Sequence, residues 1–293
     1  MAMRRIFAAL AAVVMVVGGF VVWQSRRPDS GASGPSSTDT SVTRSLKTVW
    51  CVPEAALACS QLPDLTVEIL APAQIESRVI KSGSSSTGLG VDAIVATRHW
   101  LERWQPMSFG LKIETTAIAS TELVAVEKVG GPGCAGNLVC LLKAGERLAL
   151  PSLDATTSGT IAAALALKAL GVTSLADDLD PAVVRSTATV KTSLNTPRTS
   201  SEALSALLTV RLLDAAVMTR AEFEAASPAG ATATALIPQA SVTLHIGGFG
   251  SAGLSDVRSE LAALLRTAGW AQPTARTSSP SAEFLNQTYN LLR

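Results

Sequence analysis

Residues 146–171 read ERLALPSLDATTSGTIAAALALKALG, and this stretch organises the rest of the chain. Its segment 147–151 alternates polar and apolar residues and ends in proline, which predicts a short strand that stops at a loop. An Ala- and Leu-rich helix is predicted next, with its stop at Gly171. The unpaired N–H groups at the start of that helix, with the hydroxyls of Thr157 and Ser158, can hold a small polar or anionic ligand without a charged side chain. The alternative is that these hydroxyls only cap the helix.

The overall composition bounds the class of protein. A chain of 293 residues is long enough for one or two domains with a hydrophobic core. Its formal net charge is +1, whereas nucleic-acid-binding chains normally carry a strongly basic face. We therefore expect no nucleic acid partner.

The N-terminal segment 1–27 is predicted to be a transmembrane anchor, with a cleavable signal peptide as the alternative. Its run 6–23 is wholly apolar and, at about 1.5 Å per residue, roughly spans the hydrocarbon core of a bilayer. No small-x-small cleavage site follows the run, which favours the anchor. Residues 28–45 are rich in Ser, Thr, Gly and Pro and are predicted to form a flexible linker. We expect a single-pass protein of the cell membrane whose folded body is extracytoplasmic.

Four cysteines support an oxidising compartment. They are Cys51, Cys59, Cys134 and Cys140. An even number in two close pairs favours disulfides, and four cysteines allow three connectivities, of which pairing within each close pair is the simplest. A metal site is a poor alternative, because there is no CxxC and both histidines lie far from the cysteines in the sequence.

The body of the chain alternates predicted strands with predicted helices, which indicates an α/β fold. The predicted strands are 47–52, 65–71, 78–80, 91–97, 110–116, 122–128, 147–151, 214–218, 233–238 and 241–246. Helices are predicted at 54–61, 98–105, 160–170, 199–213, 221–226, 255–268 and 282–292.

Seven stretches, taken in order, carry a resemblance to a known family. They are KTVWCV (47–52), KSGSSSTG (81–88), VDAIVATRHWLERW (91–104), ELVAVEKV (122–129), the stretch 146–171, SSEALSALLTVRLLDAAVMTRAEF (200–223) and SVTLHI (241–246). Together they resemble the type 2 periplasmic binding proteins, the solute-binding components of ABC transporters, especially the molybdate-binding-like branch. The resemblance covers roughly residues 47–268. It implies a two-lobed fold with mixed sheets, in which lobe one is 46–124, lobe two is 125–241, and 242–293 return to lobe one.

The resemblance also implies a ligand site between the lobes and a mechanism in which the lobes close on the ligand. The partners it implies are a small polar or anionic solute and an ABC-transporter permease. The implied ligand-binding residues are Ser82, Ser84 and Ser85 in lobe one, and Thr157, Ser158, Ser200 and Thr219 in lobe two. As alternatives, the serines of lobe one form a solvated turn, and Thr219 caps the helix 221–226.

The sequence departs from the family pattern at two points. Only about three residues separate the serine run from Val91, so we expect the helix usual at that place to be missing. The first loop carries Glu54 where the family has serine, and its carboxylate would disfavour an oxyanion and suit a cationic or neutral ligand. An alternative function is therefore a non-transport sensor or cell-envelope interaction module whose ligand binding is altered or lost.

Candidate catalytic groups are weak, and we expect neither catalysis nor a cofactor. Asp154 lies near Ser158, but neither a GxSxG motif nor a well-placed histidine accompanies them. His99 and His245 are interpreted as packed residues. Trp100 and its neighbour at helical spacing, Trp104, are interpreted as core residues, although a platform for a sugar or an aromatic ligand is an alternative.

Overall fold

A computed structural model of the chain describes residues 47–82, 89–108, 110–114, 116–144, 147–176, 179–194, 199–209, 212–250, 253–273 and 280–293. The chain divides into two units, residues 1–43 and residues 44–293. The predicted anchor 6–23 and the predicted linker 28–45 lie outside the described residues. Within the described part of the chain, no helix is both long enough and apolar enough to cross a membrane.

The described elements are nine strands and ten α-helices. In chain order the strands are β1 (Thr48–Cys51), β2 (Thr66–Ile69), β3 (Ala93–Thr97), β4 (Lys112–Ile113), β5 (Ala119–Lys128), β6 (Leu148–Ala149), β7 (Ala215–Thr219), β8 (Ala231–Ala235) and β9 (Ser241–Gly248). The helices are α1 (Ala56–Cys59), α2 (Pro72–Ser82), α3 (Arg98–Trp104), α4 (Leu138–Ala144), α5 (Thr157–Ala169), α6 (Pro181–Leu194), α7 (Ser200–Leu208), α8 (Arg220–Ala226), α9 (Leu254–Thr267) and α10 (Ala282–Leu292). Short 3₁₀ turns precede α1 (Pro53–Ala55) and follow α3 (Gln105–Met107).

The strand β5 belongs to two sheets and joins them. Its residues 119–122 pair antiparallel with β9, whereas residues 123–127 pair antiparallel with β7. The first sheet has the order β2-β1-β3-β9-β5, with β4 beside β9, and the second has the order β5-β7-β6, with β8 beside β5. Strands β1, β2 and β3 are mutually parallel, as are β6 and β7. The prediction of an α/β fold with mixed sheets is confirmed.

The most buried strands are those that the sequence predicts best. Every residue of β3 is buried, and β5 and β9 are buried at almost every position. A strand that is covered on both faces reads as a continuous apolar run, which is why all three stand out. The predicted lobe boundary, between residues 124 and 125, falls inside β5.

One predicted strand, 78–80, is wrong. These residues belong to α2, which starts at Pro72 and buries Ile75 and Val79 one turn apart. Proline is favoured in the first turn of a helix, and the i, i+4 spacing places both apolar side chains on one face. The helix expected to be missing after the serine run stays a prediction, because α2 ends before that run and residues 83–88 lie outside the described residues.

A buried carboxylate holds three helices together. Glu76 of α2 is only 4% exposed and accepts hydrogen bonds from Arg103 Nε of α3 (2.7 Å) and Arg293 Nη1 (2.9 Å). The hydroxyl of Tyr289 in α10 lies 3.4 Å from Glu76 Oε2 and 3.2 Å from Asp154 Oδ1. The last contact ties α10 to the loop that leads into α5.

Both disulfides are local. Cys51 at the end of β1 is bonded to Cys59 at the end of α1, and Cys134 is bonded to Cys140 in α4. The first disulfide fixes the short segment between β1 and α1, because both of its sulfurs belong to residues that are fully buried. This segment contains Glu54.

We predict that the double substitution Cys51→Ser with Cys59→Ser lowers the free energy of unfolding by roughly 2–3 kcal/mol, the loss expected when a short loop is no longer closed in the unfolded chain. Urea unfolding of the oxidised full-length chain in detergent measures the loss. The matched control is Cys134→Ser with Cys140→Ser, which opens a loop of similar size at a less buried position and should cost less. An equal or smaller loss for the Cys51–Cys59 pair would contradict the prediction.

Candidate ligand site

The carboxyl ends of the parallel strands from both sheets lead to one place. The loop after β1 carries Glu54, the loop after β6 leads to the start of α5, and α8 starts directly after β7. Ligand sites of open α/β sheets lie at such carboxyl ends, where loops and helix starts meet. We therefore take this place as the candidate site.

The start of α5 is rigidly built. Thr156 is its N-cap, and its hydroxyl oxygen accepts a hydrogen bond from the N–H of Gly159 (3.1 Å). The same hydroxyl donates to the carbonyl oxygen of Ser152 (2.9 Å). A Cβ at Gly159 would lie only 2.3 Å from that carbonyl oxygen, so only glycine allows this approach of the two backbones. These contacts fix the positions of Thr157 and Ser158, the two residues of this turn that are predicted to bind the ligand.

The carboxyl group of Glu54 occupies the first turn of α5. Its Oε1 accepts a hydrogen bond from the N–H of Ser158 (2.8 Å) and another from the hydroxyl of Thr157 (3.0 Å). All three residues are buried, with Glu54 8% exposed. The helix-start donors that the sequence predicts for a ligand are thus used by a carboxyl group of the same chain.

The environment of Glu54 favours the protonated form. Burial raises the pKa of its carboxyl group above the ordinary value of 4.5, and the nearby carboxylate of Glu222 raises it further. Hydrogen bonds from Ser158 and Thr157 act in the opposite direction and lower the pKa, but burial dominates.

A second carboxylate, that of Glu222, is hydrogen-bonded to the other two residues of lobe two that are predicted to bind the ligand. Glu222 Oε2 accepts hydrogen bonds from the N–H (3.0 Å) and the hydroxyl (2.7 Å) of Thr219, and Glu222 Oε1 accepts one from the hydroxyl of Ser200 (2.8 Å). The hydroxyl of Thr219 in turn accepts from the N–H of Glu222 (3.2 Å), which completes a capping box on α8. The structure thus brings Thr219 and Ser200 together on one side chain.

Of the three serines predicted for lobe one, Ser82 is described, and it does not lie beside these groups. Ser84 and Ser85 lie outside the described residues. Ser82 is the last residue of α2, and its hydroxyl donates to the carbonyl oxygen of Val79 (2.9 Å). The helix α2 runs from the carboxyl end of β2 back to the amino end of β3. It therefore carries Ser82 to the amino ends of the parallel strands, whereas Glu54 lies at their carboxyl ends.

Sequence reasoning missed Glu222. The signal for it is the pattern Thr219-x-x-Glu222, which is the sequence signature of a capping box. The alternative interpretation of Thr219 as a helix cap pointed to the right helix without naming its acidic partner. Glu54 was recognised as unusual, but its contact with a helix more than a hundred residues later was not.

The space left at the candidate site is small. A cavity of about 190 Å³ borders both Glu54 and Glu222, and its apolar wall includes Leu57, Ala221 and Trp270. A second space, of about 10 Å³, lies against Thr156 and Ser200. The remaining room beside the two carboxyl groups suits only a small ligand.

The largest described cavity lies elsewhere and has a volume of about 710 Å³. It is lined by His99, His245, Ser241 and Leu285, among others, and by none of the predicted ligand-binding residues. Burial lowers the pKa of His99 to about 3, and the nearby charge of Arg103 adds to that effect, so this imidazole is neutral. Its Nδ1 lies 3.1 Å from the hydroxyl of Thr97, within hydrogen-bonding distance, as suits a packed histidine.

We predict that Gly159→Ala destabilises the protein by roughly 1–3 kcal/mol, the cost of forcing an extra carbon into a packed site. The clash with the carbonyl of Ser152 outweighs the gain of up to about 1 kcal/mol that alanine brings to a helix interior. Urea unfolding of the oxidised chain measures the loss. Gly250→Ala is the matched control, because a Cβ there meets no atom within 4 Å, and equal stability of both variants would refute the packing argument.

We predict that wild-type stability falls relative to that of Glu54→Gln as the pH rises above 4.5. A carboxyl group whose pKa is raised by folding binds its proton more tightly in the folded state. Its contribution to the free energy of unfolding is therefore present at low pH and is lost as the pH rises through the raised folded-state pKa. The slope of the difference is at most about 1.4 kcal/mol per pH unit. Urea unfolding of both proteins between about pH 4.5 and about pH 8 measures it. Glu222, the charged group that faces Glu54, is common to both proteins, and a flat or rising difference would contradict the prediction.

Comparisons with known proteins bear on the fold. No protein-family model matches the sequence, and no curated protein matches it. The structure is similar to that of a periplasmic thiamin binding protein, which is 11% identical, with a TM-score of 0.55 and coverage of 90% of this chain and 100% of the other. It is similar to the sulfate-binding protein SubI from Mycobacterium tuberculosis H37Rv (14% identical, TM-score 0.51, coverage 84% and 91%). It is also similar to an ABC transporter protein from Clostridium perfringens ATCC 13124 (12% identical, TM-score 0.51, coverage 82% and 89%). The chain therefore has the mixed α/β fold of the type 2 periplasmic binding proteins.

Proposed function

We propose that the chain is an extracytoplasmic solute-binding protein, tethered to the membrane by residues 6–23, that closes two lobes on a small polar ligand for an ABC transporter. The proposal rests on one observation: Glu54, which lies in the loop after β1, is hydrogen-bonded to the first turn of α5. This is the place where a ligand would be enclosed if the two sheets moved about β5, the strand that belongs to both. In this proposal the site binds its ligand and does not transform it.

The charge of the proposed ligand follows from the carboxyl groups around the cavity. The solved structures of this fold include one described as thiamin binding and one as sulfate binding, so the fold alone leaves the ligand class open. Here the 190 Å³ cavity has Glu54 and Glu222 on its border and apolar residues on the rest of its wall. A negative ligand would be repelled by Glu222 and would compete with Glu54 for the same donors. We therefore propose a small neutral or cationic solute.

A second candidate function is a non-transport sensor or cell-envelope interaction module with altered or lost ligand binding. One observation favours it: the four predicted residues of lobe two, Thr157, Ser158, Ser200 and Thr219, all hydrogen-bond to Glu54 or Glu222. In this alternative the two carboxyl groups are permanent replacements for a ligand and the lobes stay closed.

We predict that one class of small neutral or cationic solute stabilises the full-length, oxidised chain in detergent. A ligand at about 100 times its dissociation constant adds about 2.7 kcal/mol, which raises the melting temperature by about 5–10 °C in a protein of this size. Thermal unfolding against amino acids, polyamines, sugars and oxyanions is the measurement.

The variant Ala225→Phe distinguishes a ligand in this cavity from a ligand bound elsewhere. Ala225 is exposed and lines the cavity, so phenylalanine should block the space and remove the response without a large loss of stability. Ala226→Phe, on the next and equally exposed residue of α8, is the matched control and should respond like the wild type. A panel without any response would favour the sensor or interaction module, and a response that survives in Ala225→Phe would place the ligand elsewhere.

A further inference from the structure

The contact between Glu54 and α5 has the chemistry of a bound ligand. Two donors from the first turn of a 13-residue helix, the N–H of Ser158 and the hydroxyl of Thr157, converge on one oxygen of one carboxyl group. The first N–H groups of a helix have no partner within the helix, and the helix dipole makes that end partly positive. Glu54 lies 103 and 104 residues before these donors, so no local turn geometry forces the contact.

Orphaned polar atoms beside the contact indicate independently that this is a binding place. Among the described residues, the side-chain oxygen of Ser158 is buried without a hydrogen-bond partner, and Ser158 is only 1% exposed. Glu54 Oε2 and Thr160 Oγ1, one turn into the helix, are also buried without a partner. A buried polar group that lacks a partner costs about 1–3 kcal/mol, so a site that was merely structural would be expected to satisfy them.

We propose that the start of α5 is a binding site for a small monocarboxylate or its acid, and that the side chain of Glu54 is its resident ligand, tethered by the chain itself. The inference rests on the solute site proposed above and adds to it that the anion-binding part of that site is already filled. A tethered group acts at an effective concentration of about millimolar or more, so a free carboxylate with ordinary weak affinity does not displace it.

The surroundings select a carboxyl group over a multiply charged oxyanion. Apart from Glu222, the side chains that line the cavity with Glu54 are apolar, and the described hydrogen-bond partners of its carboxyl group include no cation. Glu222 adds a negative charge nearby, which a sulfate or phosphate dianion would feel twice as strongly as a monocarboxylate. The raised pKa of Glu54 agrees with this, because a site that disfavours one negative charge disfavours a dianion more strongly.

The test is chemical rescue in the full-length, oxidised chain in detergent. Glu54→Ala removes the carboxyl group and leaves space in which sodium formate or acetate fits. We expect formate to raise the melting temperature of Glu54→Ala by about 3 °C or more in a saturable way, relative to chloride at equal ionic strength. Sulfate should not raise the melting temperature of Glu54→Ala. Formate, acetate and sulfate should not raise the melting temperature of the wild type.

Two further variants control the result. Glu54→Gln fills the space with an isosteric amide and should not respond to formate. Glu127→Ala removes another buried glutamate, which lies on β5 and accepts one hydrogen bond from the N–H of Cys134 (3.2 Å). It should not respond either, because its described donor, the N–H of Cys134, lies in a loop and not in the first turn of a helix. If Glu54→Ala does not fold in chloride, its refolding yield from urea in formate, compared with that in chloride, is measured instead.

A Glu54→Ala chain that shows no gain in melting temperature or refolding yield with formate or acetate would overturn the inference, as would an equal gain in Glu127→Ala. The outcomes also separate this inference from the proposed function. A solute response of the wild type without formate rescue of Glu54→Ala would leave the solute function and remove the tethered ligand. Formate rescue of Glu54→Ala with no solute response of the wild type would keep the tethered ligand and remove the solute function.

Discussion

The structure depends on how the first turn of α5 finds partners for its N–H groups. No carbonyl of the helix itself can accept from these groups, and the turn is buried at Thr157 and Ser158. Each hydrogen bond to a charged acceptor is worth about 1.5–3 kcal/mol, while burying an ion costs several kcal/mol. The two terms are of similar size, so a carboxylate at this place gains little, whereas a protonated carboxyl group avoids most of the cost. The pKa of Glu54, raised by its burial, follows from this balance.

Glu54 and Glu76 show that the partners of a buried carboxyl group decide what it can do. Both are almost inaccessible, at 8% and 4% exposure. Glu76 is paired with two arginines, Arg103 and Arg293, and so its charge is compensated and its helices are fixed to one another. Breaking such a pair on one side costs about 3–5 kcal/mol. The described donors to Glu54, the hydroxyl of Thr157 and the N–H of Ser158, are neutral, so its contact is the weaker of the two.

The fold was largely predictable because its strongest signals are local. Strands β3, β5 and β9 are buried on both faces, so their sequences are apolar runs. The Ala-rich run and Gly171 predict α5 and its end. The segment 78–80 was misread as a strand because its three residues alone lack a helical period. The period becomes visible only over the whole of α2, which begins at Pro72.

The site was only partly predictable, for a different physical reason. Hydroxyl residues at helix starts can be read from the sequence, and the structure brings Thr157, Ser158, Ser200 and Thr219 to two carboxyl groups. Which acceptor they meet is set by strand order and not by local pattern. The position of the serine that ends α2 is likewise set by the topology, which places it at the amino ends of the parallel strands.

In the proposed function, a tethered carboxyl group changes what a solute must offer in order to bind. Because the donors of α5 are already used, a free solute gains nothing from them unless it outcompetes a group held at about millimolar effective concentration. Its binding energy has to come from the 190 Å³ cavity beyond Glu54, where Trp270 and Ala221 supply apolar surface and Glu222 supplies negative charge. At about 25 cal/mol per Å² of apolar surface buried, so small a cavity supports only modest affinity. Selectivity in such a site comes from the sign of the charge near Glu222 and from the size of the cavity, and not from the helix start that the sequence makes most visible.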